Sequence, residues 1–394
     1  MIWHCQSEIR HPKSEITMQD LQPFFAPRHF IDTHAHLHYD DLQWGSQLQF
    51  ATQQNPDWQD ADVVIIGCGE RRGARPEAAY STAPDAIRKE LYKLYNWHPS
   101  IRVADAGNIL QGASVDDTRA ALRIVLGELR EAGKIAIVLG GSHDLALQQY
   151  EAFRKAKQLV NAVTTDLLID LEEEEGVTDR SFLMDMLTSE PAYIRQYTHL
   201  GFQSYYVQPR MLETLDKLRF DFHRLGRLRE HMEDAEPGLR SADLFSFDMN
   251  AIRYSDAPAN YAGSPNGFTG DEACMLTRYA GMSTQLTSFG IYGYEPEKDI
   301  HEMTAKLIAQ MLWYFVDGAA VRRGEASLED RQEFAEFHVS FTSNDTTFLK
   351  SKRTNRWWMG LPDGSFVPCA YSDYLQACND EIPERWLREQ ERLV

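Results

Sequence analysis

Short apolar runs alternate with amphipathic segments along most of this chain. The first run, residues 61–67, is continuous enough for a strand buried on both faces of a sheet, and an amphipathic helix with an early proline follows at 83–91. Further strands are predicted at 101–107, 134–140, 162–170, 198–207, 242–249 and 288–294, and further helices at 115–132, 145–156 and 299–316. This alternation predicts an α/β fold, a doubly wound, mostly parallel sheet with helices on both faces.

The composition of the chain changes at both ends of this pattern, which gives three predicted regions. Residues 1–60 mix Pro, Gln, His and aromatic residues without a period and are interpreted as an N-terminal arm on the α/β domain, residues 61–318. Residues 319–394 form a C-terminal extension rich in aromatic residues: Phe348, Trp357, Trp358, Phe366, Tyr371, Tyr374 and Trp386. With nearby Lys and Arg these rings would suit single-stranded nucleic acid, but a small core or a subunit contact is the favoured interpretation.

The net charge, the length of the apolar runs and the cysteine pattern each argue against particular partners, cellular locations or cross-links. The formal net charge of −19 disfavours binding to nucleic acid or to an anionic membrane. No run reaches the roughly 18 apolar residues that cross a bilayer, and residues 1–28 lack the apolar core of a signal peptide, so we expect a cytoplasmic protein. The five cysteines are dispersed and form no CxxC pair, which favours reduced thiols over disulfides or structural zinc.

Four of the apolar runs end in polar or small residues with the chemistry of a metal site. They end in the segments Gly140-Gly141-Ser142-His143, Asp166-Leu167-Leu168-Ile169-Asp170, Ser246-Phe247-Asp248-Met249-Asn250 and Gly290-Ile291-Tyr292-Gly293-Tyr294-Glu295-Pro296. The carboxyl ends of parallel strands meet at one edge of a sheet, where open α/β folds place their ligands. Carboxylates and imidazoles suit manganese.

The order of these segments resembles that of the ureohydrolase family, which includes arginase, agmatinase and formimidoylglutamase. The GGxH, DAHxD and SxDxD motifs of that family correspond to the first three segments, and residues 73–75 and 83–88 resemble its GAR and GPxAIR segments. His143-Asp144 is closest to the GGGHE turn of formimidoylglutamases. The resemblance implies an arginase-like three-layer fold, a homo-oligomer, and hydrolysis of C–N bonds in linear amidines at a binuclear manganese site.

Carried over residue by residue, the resemblance implies a complete first metal site and an incomplete second one. The four ligands of the first metal correspond to His143, Asp166, Asp170 and Asp248. The imidazole and the last carboxylate of the second site are replaced by Leu168 and Asn250, and a glutamate that faces the substrate nitrogen in the family is replaced by Gly293. We also find no histidine between Asp170 and the next predicted strand to act as the proton shuttle of arginases.

These losses favour a protein that no longer hydrolyses amidines and has a binding, scaffold or regulatory role, with a small molecule or a protein as ligand. The alternative is a formimidoylglutamase-like hydrolase that works with a single metal. We therefore expect one manganese ion at most, or none, and assign no catalytic residue. With no bound ion, His143 would act as a cap of the helix predicted at 145–156.

Three further hypotheses concern residues outside these motifs. Arg71, Arg72 and Arg75 either neutralise Asp144, Glu295 or the acidic run 172–175, or are solvated at the surface. The His34, His36 and His38 triplet resembles the HxH of amidohydrolase barrels but lacks the later ligands, and is interpreted as part of the arm. Cys68 has no nearby histidine in the sequence, so a small buried thiol is favoured over a nucleophile.

Overall fold

The computed structural model describes residues 18–27, 30–50, 58–342 and 344–393. The strands are β1 (Gln49–Phe50), β2 (Val63–Cys68), β3 (Val103–Asn108), β4 (Ile135–Gly140), β5 (Val160–Thr165), β6 (Ile194–Phe202), β7 (Asp221–Arg224), β8 (Leu244–Asp248), β9 (Ser288–Tyr292), β10 (Phe334–Phe341), β11 (Asn344–Ser351), β12 (Trp357–Gly360) and β13 (Phe366–Cys369). The helices are α1 (Met18–Leu21), α2 (Phe30–Thr33), α3 (Trp44–Gln47), α4 (Ala83–Leu91), α5 (Val115–Glu131), α6 (Ala146–Lys155), α7 (Phe182–Thr188), α8 (Pro209–Lys217), α9 (Leu225–Glu230), α10 (Glu236–Arg240), α11 (Gly270–Gly281), α12 (Met303–Arg322), α13 (Tyr371–Cys378) and α14 (Glu384–Leu393).

The first nine strands form one sheet in the order β1-β3-β2-β4-β9-β8-β5-β6-β7, and every neighbouring pair is parallel. Successive residues of β2 point to opposite faces, so Val63 and Ile65 pack into one hydrophobic core while Val64 and Ile66 pack into the other. Each core is covered by helices. The predicted three-layer α/β fold is therefore confirmed, because strands buried on both faces need continuous apolar runs.

Several predicted element bounds were wrong. The strand predicted at 162–170 ends at Thr165, so the following residues that carry Asp166 and Asp170 are a loop. The helix predicted at 299–316 begins at Met303 instead, because His301 and Glu302 have φ values of 64° and 53°, which an α-helix does not allow. β1 and β7 were not predicted, since two-residue and four-residue strands give no usable period.

The described part of the N-terminal region packs on the α/β domain. Leu21, Phe30, Trp44 and Trp58 are buried, and β1 adds an edge strand beside β3. The three histidines of the HxH triplet do not lie on a strand, because α2 is followed by turns, so they lack the alternation of side chains that the barrel motif needs.

The C-terminal region forms a second, antiparallel sheet in the order β10-β11-β12-β13. Phe348, Trp357 and Trp386 are buried in its core, and Trp358 is buried in a neighbouring cluster. These rings therefore contribute to a small core, as the favoured interpretation predicted. None of the helices described between residues 18 and 393 is both long and apolar enough to cross a bilayer.

Candidate metal centre

The predicted first-metal residues meet at the carboxyl edge of the central strands. His143 lies in a 3-10 turn just after β4, Asp166 directly follows β5, and Asp248 is the last residue of β8. Asp170 lies farther along the loop after β5. Because β4, β9, β8 and β5 are consecutive in the sheet, these strand ends are neighbours in space.

One ring nitrogen of His143 is the meeting point of the cluster. His143 Nδ1 lies 3.1 Å from Asp166 Oδ2, 3.2 Å from Asp170 Oδ2 and 3.5 Å from Asp248 Oδ2, and all four side chains are buried. The other ring nitrogen, Nε2, lies 3.3 Å from Ser246 Oγ. The side chain of His143 is thus directed at the carboxylates, and α6 has no side-chain cap, so the capping role considered for His143 is wrong.

Three buried carboxylates around one imidazole hold more negative charge than the site tolerates without a proton or a cation. Burial alone would lower the pKa of His143, but hydrogen bonds to Asp166 and Asp170 and the charge of Asp248 raise this pKa well above its ordinary value. Burial and the charge of Asp166 raise the pKa of Asp170 to about 8, and the same two causes raise that of Asp248. The cluster therefore retains protons to unusually high pH, or can bind a metal ion in their place.

His143, Asp166 and Asp248 form a buried group that could hold one divalent cation, because one ligand atom of each lies within 4.8 Å of the others. Asp170, the fourth predicted ligand, contacts His143 but is not part of that group. An ion that binds nitrogen and oxygen at roughly 2.0–2.3 Å holds neighbouring ligand atoms about 3 Å apart. The separations of 3.1–3.5 Å between His143 Nδ1 and the carboxylate oxygens are close to that value. A nitrogen and several carboxylate oxygens are also a donor set that manganese accepts.

The two positions expected to serve a second ion offer no comparable ligands. Leu168 has no lone pair, and its backbone N–H donates to Asp166 Oδ1 at 3.2 Å. The side-chain oxygen of Asn250 accepts a hydrogen bond from the backbone N–H of Ala262 at 2.7 Å. Asn250 is a neutral residue and a weaker ligand than a carboxylate for a hard cation. Neither side chain is the imidazole or the carboxylate that the resemblance to the family leads us to expect at its position.

Gly293 lies against the metal cluster and has φ of +80°, a conformation that side chains rarely adopt. A Cβ atom at this position would lie 2.8 Å from Asp248 Oδ1. A glutamate at 293 would therefore need a different local backbone, so this change alone cannot restore the substrate-facing carboxylate of the family.

The cavity above the cluster has a volume of about 30 Å³, enough for one or two water molecules. The guanidinium of Arg75 lies over the ring of Tyr261 at 4.2 Å and forms an ion pair with Glu295. These three residues line the cavity with His143 and Asp248. The arrangement leaves little room for an amidine next to the ligands.

The arginine hypothesis is confirmed for one residue and wrong for the others. Arg75 pairs with Glu295 as predicted. Arg72 pairs with Glu70 at 2.6 Å, and Arg71 pairs with Glu297 at 2.7 Å. Neither contact involves Asp144 or the run 172–175.

Two other buried groups near the cluster are Asp144, which has an arginine partner that was not predicted, and the thiol of Cys68. The carboxylate of Asp144 pairs with Arg119 of α5 at 2.6 Å, a contact that no local pattern indicates. Cys68 is fully buried, and burial raises the pKa of its thiol to about 12. A thiol with that pKa is protonated at neutral pH, so the buried-thiol interpretation of Cys68 is confirmed.

Sequence reasoning also missed two titratable residues beside the cluster. Asp179 lines the cavity, and burial together with the charge of Asp144 raises its pKa to about 6. His199 of β6 is buried, with Nδ1 2.9 Å from the hydroxyl of Tyr197 and Nε2 3.2 Å from the backbone oxygen of Asp166. Asp179 shares the loop that contains Asp170, which was its only signal in the sequence, and no local pattern linked His199 to the site.

His199 should make the protein less stable in mild acid. Burial lowers its pKa to about 4, below the ordinary value of 6.5, so the unfolded chain takes up a proton first as the pH falls. We expect this group to remove about 2 kcal/mol of stability between pH 7 and pH 5. Urea unfolding of metal-free protein at both pH values measures the loss.

His199→Gln is the matched comparison, because glutamine keeps one donor and one acceptor but does not titrate. The variant should lose about 2 kcal/mol less than the parent over the same pH interval. Equal losses in both proteins would contradict the assignment to His199.

The model of the arginase family matches residues 61–317, more than half of the chain. Formimidoylglutamase from Streptococcus gordonii is 22% identical over 298 residues, which cover 69% of this chain and 90% of that protein. The structure of formiminoglutamase from Trypanosoma cruzi with Mn²⁺ superposes with a TM-score of 0.65 at 19% identity and covers 72% of this chain and 100% of that one. Agmatine ureohydrolase from Thermoplasma volcanium superposes with a TM-score of 0.55 at 22% identity and covers 68% and 92% of the two chains. This chain belongs to the arginase family, and the relatives it resembles are ureohydrolases such as formimidoylglutamase.

Proposed function

We propose that this chain is a formimidoylglutamase-like protein with an incomplete manganese site, which has lost amidine hydrolysis and keeps a binding or scaffold role. Such a protein holds one manganese ion at most. The proposal rests on the side chains at two positions, Leu168 and Asn250, where the resemblance to the family leads us to expect an imidazole and a carboxylate.

The chemistry of amidine hydrolysis explains why these two side chains matter. When bound, a pair of divalent cations supplies Lewis acidity and lowers the pKa of water, which makes hydroxide available at neutral pH. His143, Asp166, Asp170 and Asp248 would hold one such ion. Because the Asn250 oxygen already accepts a hydrogen bond from Ala262, the protein offers little to retain a second.

The space around the cluster supports the same proposal. Arg75, Tyr261 and Glu295 line a cavity of about 30 Å³, and Gly293 presents no side chain to a substrate nitrogen. An amidine would need these side chains to move before it reached the ligands. No residue in this group offers a carboxylate at the position where the family binds the cationic nitrogen.

A hydrolase that uses one metal is the second candidate, and one observation favours it. Asp179 lines the cavity, and its pKa of about 6 lets it accept or donate a proton near neutral pH. Together with the complete first ligand set, it would position and deprotonate a nucleophile for an uncharged substrate. The two candidates differ in whether any turnover depends on these residues.

Metal content and hydrolysis, measured on the same preparation, separate the two candidates. After exposure to manganese and removal of free ion, we expect elemental analysis to find no more than one ion per chain. We expect no hydrolysis of N-formimidoylglutamate, agmatine or arginine above the rate of a blank. Asp248→Asn should reduce the manganese content, because it replaces a charged ligand with a neutral one.

Two ions per chain would contradict the incomplete site. Hydrolysis that is abolished by His143→Ala and reduced by Asp179→Asn would contradict the loss of activity and support the single-metal enzyme. Glu173→Gln is the control for both variants, because Glu173 is an exposed residue of the same acidic segment as Asp179.

A further inference from the structure

A second, larger cavity lies at the opposite edge of the parallel sheet from the metal centre. Its wall includes Asn161 and Arg195 at the beginnings of β5 and β6, and Ser241 and Gln285 just before β8 and β9. Asp166 and Asp248 lie at the other ends of β5 and β8, about 20 Å away at roughly 3.3 Å per residue. Strand β13 and the loop before it close the far side.

The volume of this cavity, about 760 Å³, is within the range of small-molecule sites. Its walls combine apolar side chains of the C-terminal sheet, such as Trp358 and Phe366, with a concentration of positive charge. Two glutamates and five arginines line it: Glu325, Glu389, Arg195, Arg240, Arg356, Arg385 and Arg392. Such an excess of cations is unexpected in a chain with a net charge of −19.

Two of these arginines are buried and have unused hydrogen-bond donors. Arg240 and Arg356 are only 5% and 7% exposed. Nε and Nη1 of Arg240 and Nε and Nη2 of Arg356 have no hydrogen-bond acceptor among the residues that the structure describes. A buried donor without a partner costs about 1–3 kcal/mol, and more when the group is charged.

The nearby carboxylates do not satisfy these donors. Glu236 Oε1 lies 3.0 Å from Arg240 Nε without forming a hydrogen bond, and at 3.9 Å it is too far from Arg356 Nε to form one. Glu325 Oε2 lies 3.7 Å from Arg356 Nη1 and accepts the hydroxyl of Thr354 at 2.5 Å. Arg240 and Arg356 thus share nearby carboxylates that do not accept all the N–H groups of the two guanidinium groups.

The other cavity arginines differ in how much of their charge is already neutralised. Arg385 lies 3.4 Å from a carboxylate oxygen of Asp373, and Arg392 lies 3.3 Å from one of Asp221. Arg195 is exposed, and its Nε donates to the side-chain oxygen of Asn161 at 2.9 Å. Arg195 therefore adds a third cation with donors to spare at the rim of the cavity.

We propose that this cavity is a binding site for a small molecule with a multiply charged oxyanion, a phosphate or carboxylate group held by Arg240, Arg356 and Arg195. The planar fork of a guanidinium matches the paired oxygens of both groups. The oxyanion accepts the unused N–H groups, and the apolar wall around Trp358 contacts the rest of the molecule. The site is independent of the metal centre and of the proposed loss of hydrolysis.

Isothermal titration of the full chain with pyrophosphate and with citrate tests this site. The protein is first treated with a chelator, and ionic strength is matched with sodium chloride, so that neither manganese nor general screening contributes. We expect one saturable site per chain for at least one of the two anions. Preference for pyrophosphate would indicate a phosphate ligand, and preference for citrate would indicate a carboxylate ligand.

Arg195→Gln and Arg356→Gln should each weaken the binding constant by about 10-fold or more, because each removes a charge-assisted hydrogen bond. Arg195 is exposed, so its variant keeps the test valid if Arg356→Gln fails to fold. Arg210→Gln is the control, because Arg210 is an exposed arginine outside the cavity, and His143→Ala should also bind normally. The absence of saturable binding, or equal binding by the parent and both cavity variants, would overturn the proposal.

Discussion

Arg88→Ala is expected to lower the free energy of unfolding by about 3–5 kcal/mol. Arg88 of α4 is fully buried. Its Nε and Nη2 donate to the two carboxylate oxygens of Asp105 in β3 at 2.8 and 2.9 Å. Its Nη2 also donates to the backbone oxygen of Gly107 at 3.0 Å. Removal of the guanidinium leaves a buried carboxylate without its counter-charge, which costs far more than a surface pair. Chemical denaturation followed by circular dichroism measures the difference.

Lys89→Ala is the matched control on the next residue of the same helix. Lys89 Nζ lies 3.0 Å from Glu302 Oε1, but both side chains are more than 40% exposed. A pair of this kind contributes about 0–1 kcal/mol, so the variant should unfold close to the parent. If Arg88→Ala is no more destabilising than Lys89→Ala, the buried pair does not stabilise this part of the fold.

The combination Leu168→His and Asn250→Asp is expected to raise manganese binding from one ion at most to two ions per chain. The two changes introduce an imidazole and a carboxylate at the positions where the family binds its second metal. Aspartate has nearly the same shape as asparagine and keeps the acceptor for the N–H of Ala262. Leu168 is only partly buried, so an imidazole can replace its side chain without a large rearrangement. Elemental analysis of the loaded variant gives the stoichiometry.

Gly293 stays unchanged in this experiment because a Cβ atom there would lie 2.8 Å from Oδ1 of Asp248, one of the residues proposed to hold the first ion. Leu168→Gln combined with Asn250→Asp is the control, since glutamine resembles histidine in size but is a weak ligand for a hard cation. This control should bind fewer ions than the histidine variant. A histidine variant that binds no more manganese than the parent would show that these two side chains are not what limits the site.

The sequence was sufficient to predict the parallel sheet and the convergence of His143, Asp166 and Asp248 at one edge of it. Strands buried on both faces need uninterrupted apolar runs, and this pattern is visible at 61–67 without any structure. His143, Asp166 and Asp248 were found because they end or follow such runs, and carboxyl ends of parallel strands converge. The Leu168 and Asn250 substitutions are likewise facts of the sequence.

The C-terminal extension shows where the sequence stopped being informative. Its aromatic residues were compatible with a binding surface as well as with the favoured small core or subunit contact, because composition carries no information on which faces of strands pair. The structure places Trp357 and Trp386 in one small core and Trp358 in another. The cavity lined by Arg240 and Arg356 exists only because β13 packs beside the beginnings of strands far away in the chain.

The sequence by itself determined the strand-helix alternation and predicted a ligand set of four residues that includes His143, with two further positions that lack a ligand, because these follow from local period, residue type and the resemblance to the family. The tertiary structure alone decided that three carboxylates approach one nitrogen of His143, that Gly293 has a positive φ beside Asp248, and that Arg119 neutralises Asp144. These contacts join residues that are tens or hundreds of positions apart. Their distances depend on how helices and loops pack on the sheet, which no local pattern encodes.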